Sequence, residues 1–404
     1  MTEDIRRIVD DLAEELARSI VVVTPEIRVV THSTHFGDED AVRVQGILQR
    51  QADPAAVTYI NAQHVSRWRE SNFIPENHSI GMKRRSCTPI RWRGHLLGYL
   101  MMIDETRTLA AGDLERAERA AADIAVILSD NAQSEARRQQ ARETWLADLL
   151  FGDPGTARQA AENPPDGVHV DTKRPVQVLV VDAVAPGATS GRRRDELVRA
   201  ALAGVAMVSE TGPSVYLTSD GHGVMMLTST RHAPDRAKHV AERVIKTLNS
   251  SSEIARTVVG LASGDGVAGA NIAYQRAKTA SRGARVLEDQ GDIVDWGNLG
   301  VYGVLLDMEP EVLDRLIAGG LHALKSNDPT GVLLHTAEVY LDSAASPPAA
   351  ALALHIHRTT LYYRLGRIQK LSGLDLGNGD DRLTLHLSLR ALRVLEGLSS
   401  QTAR

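Results

Sequence analysis

The stretch from residue 346 to residue 371, SPPAAALALHIHRTTLYYRLGRIQKL, constrains the fold of this chain most. Pro347 and Pro348 can begin a helix, because proline lacks the N–H that the first helical turn leaves unpaired. The small residues at 349–354 favour a helix that packs closely against a neighbour. A break at 355–357 precedes a second helical pattern. The stretch therefore predicts two helices joined by a tight turn.

The second helix has two different faces. Its apolar residues recur at spacings of four, three and three, which places them together on the core side. These residues are Leu361, Leu365, Ile368 and Leu371. The opposite face carries hydroxyl, aromatic and guanidinium groups, and no acidic residue lies between Asp342 and Asp375, although the chain has a formal charge of −5. This combination predicts a helix-turn-helix that binds DNA; a face that is merely solvated is the alternative.

The predicted DNA contacts come from the start and the exposed side of this helix. Thr359 and Thr360 can bond phosphate together with the free backbone amides at the helix start. Arg358 and Arg367 can contact phosphate or guanine, whereas Arg364 lies at the edge of the core face and either braces the domain or contacts DNA. The predicted contact residues are His357, Arg358, Thr359, Thr360, Tyr363, Arg364 and Arg367.

Four segments of the C-terminal sequence occur in a characteristic order: YLD at 340–342, AALALHIHRTTLYYRLGRI at 350–368, GLDL at 373–376 and DDRLTLHLSLRAL at 380–392. With them the sequence resembles the helix-turn-helix of the PucR family of bacterial transcription regulators, related to the sugar diacid regulator CdaR. The resemblance implies a DNA-binding regulator. The chain departs from the pattern at Pro347-Pro348 and at Gly366, where we expect another backbone to approach closely. The leucines of the last helix, including Leu383, are expected to be mostly buried, within the domain or against a second subunit.

Composition narrows the class of protein. At 404 residues the chain suggests two to four domains, and its negative charge means that any DNA contact is local. The single cysteine, Cys87, excludes an intramolecular disulfide, fits a reducing cytoplasm and is expected to be a buried apolar residue. No apolar run reaches membrane-spanning length, and the start, MTEDIRR, lacks a signal-peptide pattern. We therefore predict a cytoplasmic protein without membrane contact.

Residues 1–130 resemble a GAF or PAS sensory domain in their order of elements. The pattern predicts a helix over 4–17, a hairpin over 19–33, a second hairpin over 87–104 that turns at Arg93-Gly94, and a helix that opens at Asp113. A small effector would lie between the sheet and residues 64–85, with Arg84 and Arg85 binding an anion and Trp68 and Phe73 covering it. Alternatively, the aromatics belong to the core and the arginines are solvated.

Residues 131–170 are predicted to form a helical linker, with an irregular part from 154 to 171. Before it, apolar residues at three-four spacing form a seam that pairs with its copy in a dimer or packs within one subunit. The seam consists of Leu114, Ala117, Ala121, Ile124 and Leu128.

Val176–Ala183 predicts a strand buried on both faces, and a hairpin turning at Asp220-Gly221 follows it. In this order of elements, residues 171–297 resemble the GGDEF-like middle domain of CdaR-type regulators, whose fold is shared with diguanylate cyclases. Cyclases need carboxylates at the end of the first strand and in the hairpin turn to hold two magnesium ions. Only Asp182 stands at such a place, so we predict a degenerate domain, no enzyme activity, no cofactor and no metal.

Together these patterns predict a multidomain α+β chain: a GAF-like sensory domain, a degenerate GGDEF-like α/β domain, and an all-α segment (298–404) with a helical connector and the helix-turn-helix. The predicted function is sequence-specific regulation of transcription on double-stranded DNA by a homodimer or higher oligomer that responds to a small effector. The alternative is a signalling or nucleotide-binding protein that uses the GGDEF-like domain, with the C-terminal helices binding a protein partner.

Overall fold

A computed structural model describes residues 2–49, 52–168, 170, 174–185, 191–207, 214–219, 222–228 and 235–402. The chain contains both helices and sheets, as predicted, and divides into two compact units, 1–139 and 140–404. No helix in these described ranges is both long and apolar enough to cross a membrane.

The N-terminal unit is built on a five-stranded antiparallel sheet in the order β2-β1-β5-β4-β3. Its elements are α1 (Thr2–Leu16), β1 (Ile20–Val23), β2 (Val29–His32), α2 (Ala41–Gln49), α3 (Pro54–Ala62), β3 (Asn72–Ile74), β4 (Arg85–Trp92), β5 (His95–Ile103) and the first part of α4 (Ala111–Phe151). Side chains alternate between the faces of β1, so that Ile20 and Val22 pack with α1 and α4, whereas Val23 packs with α2 and α3. The sheet therefore separates two apolar cores.

Both predicted hairpins of this unit are present. The β4–β5 turn has positive φ at Arg93 and Gly94, 47° and 86°, which suits a two-residue hairpin turn. The predicted helix start at Asp113 was wrong, because α4 already begins at Ala111 and the Asp113 carboxylate instead accepts the Ala110 N–H at 2.8 Å. Cys87 is fully buried on β4, and burial raises the pKa of its thiol to about 12.

The apolar seam at the start of α4 packs within the subunit. Ala117, Ala121 and Ile124 are 0%, 3% and 0% exposed, in the core formed with α1 and the sheet. Of the two alternatives for the seam, the structure therefore favours packing within one chain. Side chains that are already buried in their own subunit have no exposed surface with which to contact the same helix of a second subunit.

The first part of the C-terminal unit contains a second five-stranded sheet, in the order β10-β9-β6-β8-β7. The elements after α4 are α5 (Pro154–Glu162), β6 (Val176–Val184), α6 (Gly191–Ala206), β7 (Ser214–Ser219), β8 (His222–Thr228), α7 (Arg236–Asn249), β9 (Arg256–Gly264), α8 (Ala270–Val286) and β10 (Ile293–Asp295). The central β6 is buried on both faces, as predicted. The predicted hairpin turn at Asp220-Gly221 lies outside the described residues.

Residues 154–162 were wrongly predicted to be irregular. They form α5, because proline stands at the first helical position and Asp153 caps the helix, its Oδ1 accepting the N–H groups of Gly155 and Thr156 at 2.8 and 3.2 Å. The proline and glycine that suggested a linker instead begin a helix.

Helix α8 lies unusually close to β9. A Cβ on Gly260 would stand 1.9 Å from the carbonyl oxygen of Ala277 and 2.2 Å from the backbone nitrogen of Ser281. Only glycine permits this approach, and the contact places α8 between the sheet and the last helices of the chain.

The rest of the unit is all helical. Its helices are α9 (Trp296–Leu299), α10 (Tyr302–Leu305), α11 (Pro310–Leu316), α12 (Gly319–Ser326), α13 (Val332–Asp342), α14 (Pro347–Ala353), α15 (Arg358–Ser372) and α16 (Gly379–Thr402). Their core is continuous with Ala280 and Ala284 of α8. Most leucines of α16 are buried or partly buried within the domain, whereas Leu383 is 66% exposed there, so its burial against a second subunit stays a prediction.

Candidate nucleic-acid interface

Helices α14 and α15 form the predicted helix-turn-helix. Helix α14 ends in a tight turn in which His355, at φ 52°, adopts the left-handed conformation. The N–H of Ile356 donates to the carbonyl of Ala351 at 3.0 Å, and that of His355 donates to Leu352 at 3.1 Å. This paired bonding is typical of a helix end at which the chain reverses direction, and it sets the angle at which α15 begins.

The apolar face of α15 is buried as predicted. Leu361, Leu365 and Ile368 are 0%, 7% and 0% exposed, and α15 packs against α12, α13 and α14. The start of α12 meets the end of α15 so closely that a Cβ on Gly320 would lie 1.9 Å from the Ser372 carbonyl oxygen. The helix is therefore held rigidly from one side, which leaves the other side presented to solvent.

That other side carries most of the predicted contact residues. His357, Arg358, Thr359, Tyr363 and Arg367 are exposed, and Thr360 is half-buried. Tyr363 is 66% exposed, although an aromatic ring in solvent forfeits the free energy of its burial. The helix face thus presents basic, hydroxyl and aromatic groups together, which can meet phosphates and base edges.

The start of α15 is capped by a predicted contact residue. His357 is the N-cap, and its Nδ1 accepts the backbone N–H of Thr359 at 3.4 Å and lies 2.9 Å from the Thr359 hydroxyl. The cap orders the first turn, where free amides point outward and favour an anion such as a phosphate.

The exposed arginines are available to a partner. The Arg358 guanidinium stacks over the Tyr362 ring, 5.5 Å from its centroid. Neither Arg358 nor Arg367 makes a hydrogen bond or an ion pair with any residue that the structure describes. An unpaired guanidinium retains its charge and its donors for a phosphate or a guanine.

Two residues of α15 behave differently from their neighbours. Arg364 is half-buried and donates from Nη1 to the hydroxyl of the fully buried Thr336 on α13 at 3.3 Å. Of its two predicted roles, the structure therefore favours bracing the domain over contacting DNA.

The expectation of close backbone approach at Gly366 was wrong. A Cβ there would meet nothing within 4 Å, so the glycine leaves open space on the exposed face.

Sequence reasoning missed the polar residues that attach α16 to the domain. Arg390 donates from Nη1 to the Tyr302 hydroxyl at 2.8 Å and from Nη2 to Asp342, and it also contacts Glu338. It thereby joins α16 to both α10 and α13. Its position in the DDRLTLHLSLRAL segment was the only signal in the sequence, because the partners lie 48 to 88 residues away.

The Asp182 carboxylate, the acidic residue that the cyclase comparison singles out, is paired with an arginine. Asp182, at the end of β6, is 6% exposed and pairs with Nη1 of Arg285 on α8 at 2.5 Å, while His222 Nδ1 lies 3.5 Å from its other oxygen. Asp220 lies outside the described residues. Among those that are described, no group of three or more His, Cys, Asp or Glu side chains is arranged to hold a metal ion.

The four predicted effector residues lie in three environments. Arg84 stacks on Phe73, with its guanidinium carbon 3.6 Å from the ring centroid, and pairs with the buried Asp104. Arg85 is buried and pairs with Asp40. Trp68 is half-buried, and its carbonyl accepts from Arg91 at 2.9 Å. Arg85 lines a cavity, together with residues that were not predicted.

The helix-turn-helix matches a domain of a known protein family. Residues 333–391 match the PucR C-terminal helix-turn-helix domain. The carbohydrate diacid regulator of Escherichia coli (strain K12) is 44% identical over 91 residues, which cover 20% of this chain and 24% of that protein. The DNA-binding transcriptional activator AdeR of Bacillus subtilis (strain 168) is 21% identical over 95% of this chain and 92% of its own length. The proline-responsive transcriptional activator PutR of the same organism is 18% identical over 96% and 97%.

The match shows a PucR-type helix-turn-helix at residues 333–391, and the chain is a DNA-binding transcription regulator. In this PucR-type regulator the matched segment contains every predicted DNA-contacting residue and the α13 surface that supports α15. The relatives named above are regulators of transcription, and the chain is a regulator rather than an enzyme. The match at 44% identity spans about a quarter of the carbohydrate diacid regulator, whereas the two activators match over nearly their full length.

Proposed function

We propose that this PucR-type regulator binds a specific operator through the exposed face of α15 and controls transcription as a dimer in response to a small molecule. One observation carries the proposal: within the matched helix-turn-helix, Arg358 and Arg367 are exposed on a face with no acidic residue, and neither pairs with any described part of the chain. A positive face held rigidly by its buried side is what major-groove recognition requires.

The contact residues divide into positioning and reading groups. Thr359, Thr360 and His357 at the helix start suit phosphate contacts, which set the register of the protein on the duplex. Arg358, Tyr363 and Arg367 project from the exposed face and suit contacts with bases or with phosphates. Each good pairing between arginine and guanine discriminates against a wrong base by about 1–3 kcal/mol.

The predicted domain division is part of the proposal. The antiparallel sheet with helices on both faces supports a GAF-like sensory domain at 1–130, followed by a helical linker at 131–170. The sheet with the central β6 supports a degenerate GGDEF-like domain at 171–297, and 298–404 holds the connector and the DNA-binding helices. Because the target is DNA, the proposal places the protein in the cytoplasm.

Dimerisation and effector response follow from how such regulators read DNA. Two recognition helices about one DNA turn apart read a two-fold operator, so a change in the dimer changes their spacing. The full-length relative PutR is named as proline-responsive, which supports a small-molecule signal for this chain without identifying it.

Fluorescence anisotropy on DNA from upstream of the chain's own gene tests the proposal. The wild type is expected to bind with a steep salt dependence, and an Arg358→Ala/Arg367→Ala double variant to bind at least about tenfold more weakly with a shallower salt slope. The matched control is Arg276→Ala/Arg315→Ala, which removes the same charge from exposed arginines on α8 and α11.

Two outcomes contradict the proposal. If the control loses as much affinity as the double variant, binding depends on overall charge rather than on α15. If the wild type binds its upstream DNA no better than unrelated DNA, the claim of specific operator recognition fails. Light scattering on the complex adds a further check, because a monomer on DNA contradicts the dimer.

A further inference from the structure

A small cavity lies in the N-terminal unit, between the sheet and helices α2 and α3. Its volume is about 30 Å³, and most of its walls are aliphatic side chains such as Val23, Val42 and Ile60. Two arginines, Arg43 and Arg85, also line it, although they are only 6% and 4% exposed. Two guanidinium groups at an apolar cavity require an explanation, because a buried charge is unfavourable without a partner.

Arg85 has its partner. It pairs with the carboxylate of Asp40, and its Nε donates to the Lys83 carbonyl at 3.4 Å. The same carboxylate accepts the backbone N–H groups of Arg43 and Lys83 at 2.8 and 2.9 Å. Asp40 is therefore fully engaged in holding Arg85 and the start of α2, and it has little capacity left for a second guanidinium.

Arg43 lacks such a partner. Its guanidinium has five donors, yet its only side-chain hydrogen bond to a described residue runs from Nη2 to the Ser33 carbonyl at 3.5 Å, the outer limit for such a bond. Burial lowers the pKa of Arg43 and the neighbouring Arg85 lowers it further, whereas nearby carboxylates oppose the shift. Asp38, one of these, has a buried oxygen without a partner but forms no ion pair with Arg43, and its other oxygen accepts the Ser19 N–H at 2.9 Å.

The backbone at the cavity wall is strained. Ile27 lies in the wall, is 3% exposed and has a φ of 61°. A β-branched residue in this left-handed region is a genuine outlier, and such strain is concentrated at ligand sites and switches. The strain and the unpaired guanidinium thus occur at the same place.

We propose that this cavity binds a small monocarboxylic acid, with the carboxylate on Arg43 and a short hydrocarbon body against the aliphatic walls. Carboxylate and guanidinium form two parallel hydrogen bonds, which supplies the partner that Arg43 lacks. Arg85 remains on Asp40 and adds positive field, so a cationic amine is repelled.

The size of the cavity limits the ligand. A volume of about 30 Å³ holds about two water molecules by the usual measure, so the walls must yield slightly to admit an acid of roughly two to five carbon atoms. A nucleotide is excluded. The idea that this acid is the signal that changes DNA binding rests on the proposed function. Binding of the acid to the cavity does not depend on that function.

Thermal unfolding and calorimetry of the full chain test the inference with four sodium salts: acetate, butyrate, isovalerate and 2-oxoisovalerate. At least one is expected to raise the midpoint of thermal unfolding in a saturable way. Butan-1-ol and butylamine, which match butyrate in shape but lack its negative charge, are expected to give no such rise. The measurement uses no DNA, so failure to bind an operator leaves its result intact.

Variants locate the site. Arg43→Met is expected to bind the acid about 10- to 100-fold more weakly, since bonds to a charged group are lost, while its ligand-free midpoint is equal or higher because a buried unpaired charge is gone. Arg43→Lys retains the charge and is expected to bind with intermediate affinity, which keeps the test decisive if the methionine variant does not fold. Arg28→Met, an exposed arginine in the β1–β2 turn, is the matched control and is expected to respond like the wild type.

Three results overturn the inference. The first is a wild type that responds to none of the four acids. The second is butan-1-ol acting as strongly as butyrate, which means that filling the apolar space is sufficient. The third is an Arg43→Met variant that is strongly destabilised without ligand yet keeps the full response, which makes Arg43 a structural partner of Asp38 rather than a ligand-binding group.

Discussion

Arg358 and Arg367 on α15 are exposed and make no ion pair with the described part of the chain, whereas Arg43 and Arg85 in the N-terminal unit are buried, 6% and 4% exposed. The exposed pair remains hydrated until a partner arrives, so its interaction is screened by salt and depends on the release of counterions from DNA. Arg43 and Arg85 have already lost their water of hydration, so whether each guanidinium has a carboxylate partner has a large effect on stability. An exposed arginine therefore suits recognition that depends on salt, whereas a buried arginine suits a tight ion pair that salt hardly affects.

Removing the carboxylate of Asp40, which pairs with the buried Arg85, is expected to have the largest effect on stability. Asp40→Ala leaves Arg85 buried without its partner and removes the cap of α2, so the free energy of unfolding should fall by about 3–5 kcal/mol. Urea unfolding followed by circular dichroism measures this change. The neighbouring Glu39 is exposed, and Glu39→Ala should change stability by no more than about 0.5 kcal/mol. Equal losses in the two variants would contradict the distinction between buried and exposed charges.

The exposed face of α15 depends on tight packing behind it. Gly320→Ala places a methyl group against the Ser372 carbonyl and is expected to cost about 1–3 kcal/mol of stability. Gly319→Ala is the matched control, since a Cβ there meets nothing within 4 Å. Thermal unfolding compares the two, and a Gly320 variant as stable as its control would show that α12 and α15 separate easily.

Two arginines of α15 itself sharpen the comparison. Arg364→Met removes the hydrogen bond to Thr336 and should lower the free energy of unfolding by about 1 kcal/mol. Arg358→Met should leave stability within about 0.5 kcal/mol of the wild type but weaken operator binding. Urea unfolding and anisotropy on the same samples give both values. The reverse ranking would place Arg364 on the DNA and Arg358 in the domain scaffold.

The smallest expected effect is a gain. Gly366→Ala should stabilise the protein by up to about 1 kcal/mol, because alanine favours a helix more than glycine does and the added methyl group meets open space. The midpoint of thermal unfolding would report this as a rise. A fall would mean that the exposed face of α15 packs against something in the free protein, and the contrast with the buried arginines would then disappear.

Local patterns predicted the elements of the candidate DNA-binding site. The spacing of Leu361, Leu365 and Ile368 places them on one face of any helix that they form, so their burial and the exposure of Arg367 followed directly from the sequence. The role of Arg364 did not follow, because it depends on Thr336, which lies 28 residues earlier on another helix. Periodicity locates the two faces of a helix, but a residue at their border takes its role from the neighbouring element.

Errors at helix ends have a different cause. Pro154 and Gly155 suggested an irregular linker, but a proline at the first helical position and a carboxylate before it begin a helix equally well. Asp113 is a residue type that suits an N-cap, but the helix already begins at Ala111. In both cases the same residue types fit two structures, and packing against the rest of the unit selects one of them.

The sequence by itself determined the two faces of α15, the hairpins, the buried strand β6 and the resemblance to PucR-type regulators, because all of these depend on the order of residues within short segments. Only the tertiary structure decided that Arg84 pairs with Asp104, that Arg285 occupies the carboxylate of Asp182, and that Arg43 lies unpaired at an apolar cavity. The physical reason is that burial and charge pairing join distant residues, such as Arg285 and Asp182, which lie 103 positions apart. A local sequence pattern contains no information about which distant group will pair with a given side chain or bury it.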